Sequence, residues 1–430
     1  MGSDLRRPVQ EEYWERHIRG YRERVQGCRR TILIVGTLPD SLVTLRGHLI
    51  EALSARGYRV IACGARQDSL SGISGMEGTA ELKRRGAEYA EYPVDRTGRN
   101  PLADLRTLAA LVALCRRHRP DVMLAYTAKA VVWGLLAGWM TGVSKRFALM
   151  TGLAFGLSGG EGKGRAASLI ARGLFSAALS RATGVLFHNV DDERALKKKG
   201  LLAPDATTGV VNGSGVDLSQ FRAAALPSGQ MTFLLIARLL REKGVMEYLE
   251  AARRVKSSAQ TIEFLLAGPI DPHPDGGGEW GIRRWEGDGI GTWLGALADV
   301  RPALARCSVY VLPSYHEGTA RTVIEAMATG RPIITTDAPG CRETVIPGEN
   351  GFLVPVKDVD ALAEAMRRFA SDPAMVEPMG ARSRTLAETR YDVHSVNAKM
   401  IAFMEEGDHW RSDAGEMQFG ADRSAVGKEN

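Results

Sequence analysis

Two glutamates eight positions apart, Glu317 and Glu325, bracket the densest chemical signal in the chain, Leu312-Pro-Ser-Tyr-His-Glu-Gly-Thr-Ala-Arg-Thr-Val-Ile-Glu-Ala-Met-Ala-Thr-Gly330. The first falls in the loop after a predicted strand and the second on the helix that follows. Between them Gly318, Thr319 and Ala320 are expected to bring unpaired backbone N–H groups to a helix N-terminus, where the peptide dipoles favour phosphate. Glu317 then faces whatever lies beside that phosphate, and Glu325, over a turn into the helix, reaches a ribose. A carboxylate accepts two hydroxyl donors at once, so paired glutamates flanking a phosphate cradle suit a nucleotide with a sugar at each end. Glu325 as a solvated helix residue is the weaker reading, because Val323, Ile324, Ala326 and Met327 surround it.

A second signal is Phe233-Leu-Leu-Ile-Ala-Arg-Leu-Leu-Arg-Glu-Lys-Gly244, in which Arg238 and Lys243 follow a strand and precede a helix. Both cations can reach one diphosphate, the arginine in bidentate fashion and the lysine as a point charge. Such a pair is common on surfaces; its weight comes from its place at the equivalent strand end of the same domain. Asp358-Val-Asp360 has the D-x-D spacing of a metal site, but it directly precedes the apolar helix Ala361 to Phe369 and reads as a helix cap. No catalytic metal and no cofactor are expected. His118, His188 and His316 have no metal-site spacing, and Lys197-Lys-Lys199 reads as a solvated helix face.

The elements that must position these residues alternate along the chain. Strands are expected at Thr31–Gly36, Arg59–Cys63, Asp121–Ala125 and Gly184–Phe187, with helices at Leu42–Arg56 and Leu102–Arg117. After Val211-Asn-Gly-Ser-Gly215 and the Pro227-Ser-Gly229 break the alternation restarts. Strands follow at Met231–Leu239, Glu263–Ala267, Ser308–Leu312 and Pro332–Thr336, and helices at Val245–Val255, Ala320–Thr329 and Ala361–Ala370. This predicts an α/β protein of two Rossmann-like units with ligand in the cleft beyond the strand ends. A length of 430 residues with 44% hydrophobic and 25% charged composition fits two or three domains and excludes wholesale disorder. The expected boundaries are a helical extension 1–30, an N-terminal domain 31–222, a C-terminal domain 223–392, a helix 393–405 returning to the N-terminal domain, and a flexible tail 406–430. In the extension Trp14, Ile18, Tyr21 and Val25 share one stripe, which suits docking on the domain.

Five scattered cysteines, Cys28, Cys63, Cys115, Cys307 and Cys341, without any C-x-x-C pair, fit neither a disulfide framework nor a structural zinc site. No apolar h-region of a secretory signal occurs in residues 1–30, and the longest apolar run, Ala130–Gly142, is too short to span a bilayer. Charge is unevenly divided: residues 1–222 hold 33 Lys and Arg against 21 Asp and Glu, a net +12, and the remainder 23 against 29, a net −6. The basic half suits an anionic membrane surface or an acidic substrate. With no helix-turn-helix, RNP or OB signature, nucleic acid is the weakest partner. Arg165–Arg181 reads as a helix with Leu169, Ile170, Leu174 and Phe175 on an apolar side bordered by Arg165 and Arg172, and Phe147–Leu157 adds apolar surface. These features suggest a membrane-facing side.

The run from Glu317 to Glu325, the Arg238/Lys243 pair and Thr336-Asp-Ala-Pro-Gly-Cys-Arg-Glu-Thr-Val-Ile-Pro-Gly-Glu-Asn-Gly-Phe-Leu-Val-Pro355 resemble glycosyltransferase family 4, retaining enzymes with the GT-B fold. Tyr126-Thr-Ala-Lys-Ala-Val-Val-Trp-Gly134, Met150-Thr-Gly-Leu-Ala-Phe-Gly156 and Phe187-His-Asn-Val-Asp-Asp192 are similar to the subgroup that extends undecaprenyl-diphosphate-linked glycans. The likeness runs over about residues 31 to 405 and departs from the pattern at Ala128, Ala130 and Ala320.

The resemblance implies a GT-B architecture, two Rossmann-like domains facing each other across a cleft. It implies that Glu317 contacts donor hexose hydroxyls, Glu325 the ribose, and Arg238 with Lys243 the donor diphosphate. Gly36 and Thr37 would approach that diphosphate from the other domain, and Leu294 and Gly295 would meet the nucleobase through their backbone. Tyr126, Lys129 and His188 are acceptor-side candidates. Retention in this family is explained by front-face attack, with a donor phosphate oxygen accepting the acceptor's proton. The expected reaction moves a sugar from a nucleotide diphosphate sugar to a lipid-linked glycan in bacterial polysaccharide assembly, on the cytoplasmic face of the membrane. The first choice of donor is a UDP-sugar such as a UDP-N-acetylhexosamine, the second GDP-mannose. Alternatives are an inactive sugar-nucleotide or membrane-binding protein on the same fold, a sugar-nucleotide epimerase, and a nicotinamide oxidoreductase. The last is disfavoured because no G-x-G-x-x-G follows Ile32–Val35.

Overall fold

The computed structural model describes residues 30–65, 75–95, 100–152, 165–257, 261–270 and 279–407. The helical stripe of the N-terminal extension, Cys28, most of the segment after Met150 and the tail from residue 408 lie outside the described residues. The chain divides into two units, Met1–Ala125 with Lys129–Arg146, and Tyr126–Ala128 with Phe147–Asn430.

The first unit alternates strand and helix: β1 (Thr31–Val35), α1 (Pro39–Ala55), β2 (Arg59–Gly64), α2 (Gly75–Arg84), β3 (Ala87–Glu91), α3 (Pro101–His118), β4 (Val122–Tyr126) and α4 (Ala128–Met140). Its strands are parallel in the order β3-β2-β1-β4, with Leu33 opposite both Ile61 and Met123. Every residue of β1 is buried, the continuous apolar run expected of a parallel strand covered on both faces. Proline opens α1 and α3, where a missing N–H costs nothing, and Asn100 accepts from Leu102 N–H at 3.0 Å to cap α3.

The second unit begins with β5 (Lys145–Met150), α5 (Arg165–Leu179), β6 (Gly184–Phe187), α6 (Val190–Lys198) and β7 (Thr208–Val210), parallel in the order β5-β6-β7. It continues with β8 (Thr232–Ile236), a 3-10 turn at Arg241–Lys243, α7 (Val245–Lys256), β9 (Glu263–Ala267), α8 (Glu279–Gly287), β10 (Thr292–Trp293), α9 (Arg301–Arg306), β11 (Val309–Leu312) and α10 (Arg321–Ala328). Last come β12 (Ile333–Thr336), β13 (Gly351–Val354), α11 (Val359–Ser371), α12 (Val376–Arg390) and α13 (Val393–Glu406). Six strands form a parallel sheet in the order β10-β9-β8-β11-β12-β13. Between this sheet and its helices lies a core in which Phe233 and Phe264 stack at 5.4 Å and Tyr248 donates to the carbonyls of Phe233 and Leu265, both at 3.0 Å. α13 leaves this region and sets Phe403 edge-on to Phe147 of β5, the ring centroids 5.7 Å apart.

Three expectations change. The strand expected over Met231–Leu239 stops at Ile236, because the chain turns at Arg238, whose carbonyl accepts from Leu240 N–H at 2.7 Å. The apolar stretch beginning at Phe147 is not added membrane surface: Phe147–Met150 are the buried part of β5. Phe175 is likewise buried at 3% exposure, so it leaves the apolar side of α5 assigned to a membrane. β3 escapes the alternation pattern because Ala-Glu-Tyr-Ala-Glu buries only Ala87 fully.

Candidate functional site

The parallel sheet of the second unit delivers its catalytic candidates at the carboxyl ends of β8 and β11. Gly244, with φ of +71°, follows the 3-10 turn at an approach so close that a Cβ there would lie 2.0 Å from the Pro313 carbonyl oxygen. Only glycine meets both demands. The same approach lets Tyr315 N–H donate to the Glu242 carbonyl at 2.8 Å, with the Ser314 hydroxyl on that carbonyl at 3.2 Å. Tyr315 OH in turn donates to Glu247 Oε1 at 2.6 Å, and burial, with the neighbouring carboxylate, pushes the phenol up to about 12. The two loops are thereby locked in register, and Lys243 Nζ reaches Glu317 Oε1 at 2.6 Å. Both side chains keep some solvent access, 17% and 15%, so a ligand can meet them without unfolding the loop.

Arg238 lies just past the end of β8 and is exposed. The helix carrying Glu325 is tied to that strand end, since Thr322 Oγ1 donates to the Ile236 carbonyl at 3.1 Å. α10 starts at Ala320 with no side-chain cap, which leaves its N-terminus suited to an anion. The expectation of three unpaired N–H groups there is corrected at one position: Ala320 N–H donates to the Gly340 carbonyl at 3.1 Å. Glu325 is 6% exposed, and burial pushes its carboxyl up against the opposing pull of Arg321, whose Nε lies 2.8 Å from Oε1. A ribose hydroxyl at Glu325 would share the carboxylate with Arg321.

Gly318 has a different reason to be glycine. A Cβ there would sit 2.1 Å from the Thr151 carbonyl oxygen, so any side chain would drive apart the two backbones. The carbonyls of the same turn are met by α6: Asn189 Nδ2 lies 2.7 Å from Gly318 O and 3.3 Å from Glu317 O. Thr319 Oγ1 donates to the His188 carbonyl at 3.2 Å. His316 Nε2 stands 3.0 Å from Asp192 Oδ1, and that carboxylate raises the imidazole above its ordinary value against the opposing effect of burial. Arg342 adds an ion pair to Asp191. Asn189 and Asp192 were not singled out as site residues by spacing, although Asn-Val-Asp-Asp-Glu has the form of a helix start.

The other candidates have separate surroundings. Gly36 N–H donates to the Cys63 carbonyl at 2.9 Å, so the group expected to approach a diphosphate is already engaged; Thr37 beside it is 8% exposed. Leu294 N–H donates to Leu266 O and Gly295 O accepts from Gly268 N–H, each at 2.8 Å, which fixes the backbone expected to meet a nucleobase. Lys129 Nζ pairs with Asp104 at 2.9 Å. His188 is buried at 6%, and Tyr126 is fully buried at the end of β4. Asp358 caps α11 by accepting from Ala361 N–H at 2.9 Å, as its spacing indicates, and Asp360 pairs with Arg254 at 2.5 Å. Among the described residues no group of three or more His, Cys, Asp or Glu side chains is arranged to hold a metal ion. Cys63, Cys115, Cys307 and Cys341 are buried thiols, with Cys115 pushed up to about 11 by burial.

Comparison with known proteins places this geometry. Residues 230–372 match the family model described as glycosyl transferases group 1, and residues 43–213 match the glycosyl transferase 4-like domain. The chain is 26% identical over 310 residues, 69% of its length and 80% of the relative's, to the N,N'-diacetylbacillosaminyl-diphospho-undecaprenol alpha-1,3-N-acetylgalactosaminyltransferase of Campylobacter jejuni. It is 24% identical over 288 residues, 64% of its length and 72% of the relative's, to the UDP-Gal:alpha-D-GlcNAc-diphosphoundecaprenol alpha-1,3-galactosyltransferase of Escherichia coli. Among solved structures, sucrose-phosphate synthase from Thermosynechococcus elongatus superposes with a TM-score of 0.71 at 21% identity, covering 88% of this chain and 99% of that one. Anabaena HepE, solved with UDP and glucose, gives 0.68 at 19% identity, covering 87% and 99%. These likenesses establish the GT-B fold, with two parallel-sheet α/β domains, and with the two matched models, one on each half, they show the chain to be related to the family 4 glycosyltransferases.

Proposed function

We propose that this chain transfers a sugar, with retention of configuration, from a nucleotide diphosphate sugar to an undecaprenyl-diphosphate-linked glycan in bacterial polysaccharide assembly. The observation that carries the reading is the 2.6 Å Lys243–Glu317 pair, held at a strand end beside a helix start that no side chain caps. A donor diphosphate competes with Glu317 for Lys243. Once the cation turns to phosphate, the carboxylate is released to hexose hydroxyls, so the two halves of the donor are bound by the two halves of one ion pair. Arg238 and Lys243 stabilise the charge that grows on the diphosphate as the bond to the anomeric carbon breaks. The acceptor hydroxyl attacks from the same face, gives its proton to a phosphate oxygen and forms the new glycosidic bond, and the nucleoside diphosphate departs with that proton.

UDP-N-acetylhexosamine is the donor we favour, supported by the N-acetylgalactosaminyl transfer named for the Campylobacter relative and the UDP-sugar named for the Escherichia one, and GDP-mannose is the second choice. Metal takes no part in this scheme, since the two cations supply the positive charge and both carboxylates of the D-x-D are engaged by the fold. Thermal shift with a panel of nucleotide sugars, each with and without exhaustive chelation, tests both points. The favoured donor at a hundred times its dissociation constant stabilises by about 2.7 kcal/mol. The same shift, and undiminished turnover, are expected after chelation. Turnover that vanishes with chelator and returns with magnesium or manganese would overturn metal independence.

No described helix is long and apolar enough to cross a membrane. We place the enzyme peripherally on the cytoplasmic membrane face, supported by α5, where Leu169, Ile170 and Leu174 are 66%, 65% and 38% exposed, and by the net +12 of residues 1–222. Anionic lipid contributes on the order of 1 kcal/mol per nearby Lys or Arg. Co-sedimentation should rise with the anionic content of liposomes, fall with salt, and drop in Arg165→Glu/Arg172→Glu and in Leu169→Ser/Ile170→Ser. Equal recovery on neutral and anionic liposomes would remove α5 as the docking element.

A further inference from the structure

We infer that Asn189 is a positioning residue, the clasp that fixes the turn presenting Glu317. The proposal rests on the reading of Glu317 as the donor-sugar carboxylate. Asn189 is 1% exposed and stands in the loop between β6 and α6, 129 residues away in sequence from the glycine it touches. Its amide is used on both sides. Oδ1 accepts from Asp192 N–H at 2.8 Å, capping α6, and this fixes the orientation of the amide so that Nδ2 faces the carbonyls of Gly318 at 2.7 Å and Glu317 at 3.3 Å. Nδ2 also lies 3.1 Å from Asp192 Oδ2, which holds the donor from a third direction.

The neighbouring residues reinforce the hold without replacing it. Thr319 Oγ1 reaches back to the His188 carbonyl, and His316 Nε2 stands beside Asp192 Oδ1, so His316, Glu317, Gly318 and Thr319 are all tied to the segment from His188 to Asp192. The backbone of Pro339 and Gly340 holds the N–H groups of the turn, accepting from Glu317 N–H at 2.9 Å and Ala320 N–H at 3.1 Å, and among the described residues Asn189 is the side chain that meets the carbonyls of both Glu317 and Gly318. The peptide plane sets the direction of the Glu317 side chain and of the N–H groups that follow. A glutamate that must trade Lys243 for sugar hydroxyls gains from a backbone that does not follow its side chain.

The cap and the clasp separate by substitution. Asn189→Ser keeps the cap, since serine caps as well as asparagine, but is too short to reach Gly318. Asn189→Asp keeps the cap and the shape and puts an acceptor oxygen against two carbonyls. The experiment measures donor kinetics, UDP binding and amide hydrogen exchange in the full-length parent and both variants. Expected are turnover lower by on the order of 10- to 100-fold, with Asn189→Asp worse than Asn189→Ser, UDP affinity changed much less, and faster exchange confined to residues 316–320 while α6 stays protected. Parent-like turnover and exchange in Asn189→Ser would overturn the clasp, and so would losses accompanied by faster exchange along α6, which would make Asn189 a cap alone. The exchange readout is independent of activity: if the parent transfers no sugar from any donor the proposed function fails, while protection of residues 316–320 still decides the clasp.

Discussion

Glu317→Gln should transfer sugar on the order of 10²- to 10³-fold more slowly than the parent while remaining folded and binding UDP nearly as well. Glutamine keeps the length of the side chain and loses its charge. Without donor that charge is matched by Lys243 at 2.6 Å; in the proposed mechanism donor hydroxyls take the place of Lys243, and their polarity grows as the anomeric carbon becomes electron-poor. The loss therefore falls on turnover. Glu325→Gln is the contrast: its carboxyl is buried, held by Arg321 at 2.8 Å and assigned to the ribose, so its loss should appear mainly as weaker donor binding. Steady-state kinetics with UDP titration separates the two patterns. Parent-rate transfer by Glu317→Gln would remove Glu317 from the donor site.

Arg238→Ala/Lys243→Ala should nearly abolish transfer. The double variant withdraws both positive charges assigned to the leaving diphosphate, and it leaves the Glu317 carboxylate, 15% exposed, without its cation beside the proposed phosphate position. Repulsion is added to lost attraction. The measurement is binding of UDP against uridine: the parent should prefer the diphosphate strongly, and the double variant should bind both alike. A variant that keeps the preference for UDP would show that other groups hold the phosphates, and the assignment of this pair would fall.

The sheet of the second unit was legible because parallel strands buried on both faces appear as unbroken apolar runs, as in Phe233–Ile236 and Phe264–Ala267. The placement of Glu317, Glu325 and Lys243 beyond strand ends and at a helix start was legible because the strand–helix alternation marks those positions, which are where parallel sheets present chemistry. What was hidden depends on distance along the chain. Nothing local to Asn189 announces that its amide meets residues 128 and 129 positions onward, and a buried asparagine before an acidic turn reads first as a cap. Tyr126 shows the converse limit. A tyrosine closing an apolar strand is equally compatible with a ligand and with the core, and here it is wholly buried. Ala320 shows the same limit at the backbone, since only the fold reveals that its N–H is spent on Gly340.

The most direct test of the account is transfer itself. Purified full-length protein is given a labelled UDP-N-acetylhexosamine and an undecaprenyl-diphosphate-linked saccharide in the presence of a chelator, and the anomeric configuration of the product is read by NMR. The account predicts label in the lipid-linked product, strict dependence on the acceptor, and the anomeric configuration of the donor preserved. An inverted linkage would contradict the same-face mechanism; conversion of the donor without acceptor, or no transfer from any nucleotide sugar, would contradict the assignment of this chain as a transferase to lipid-linked glycans.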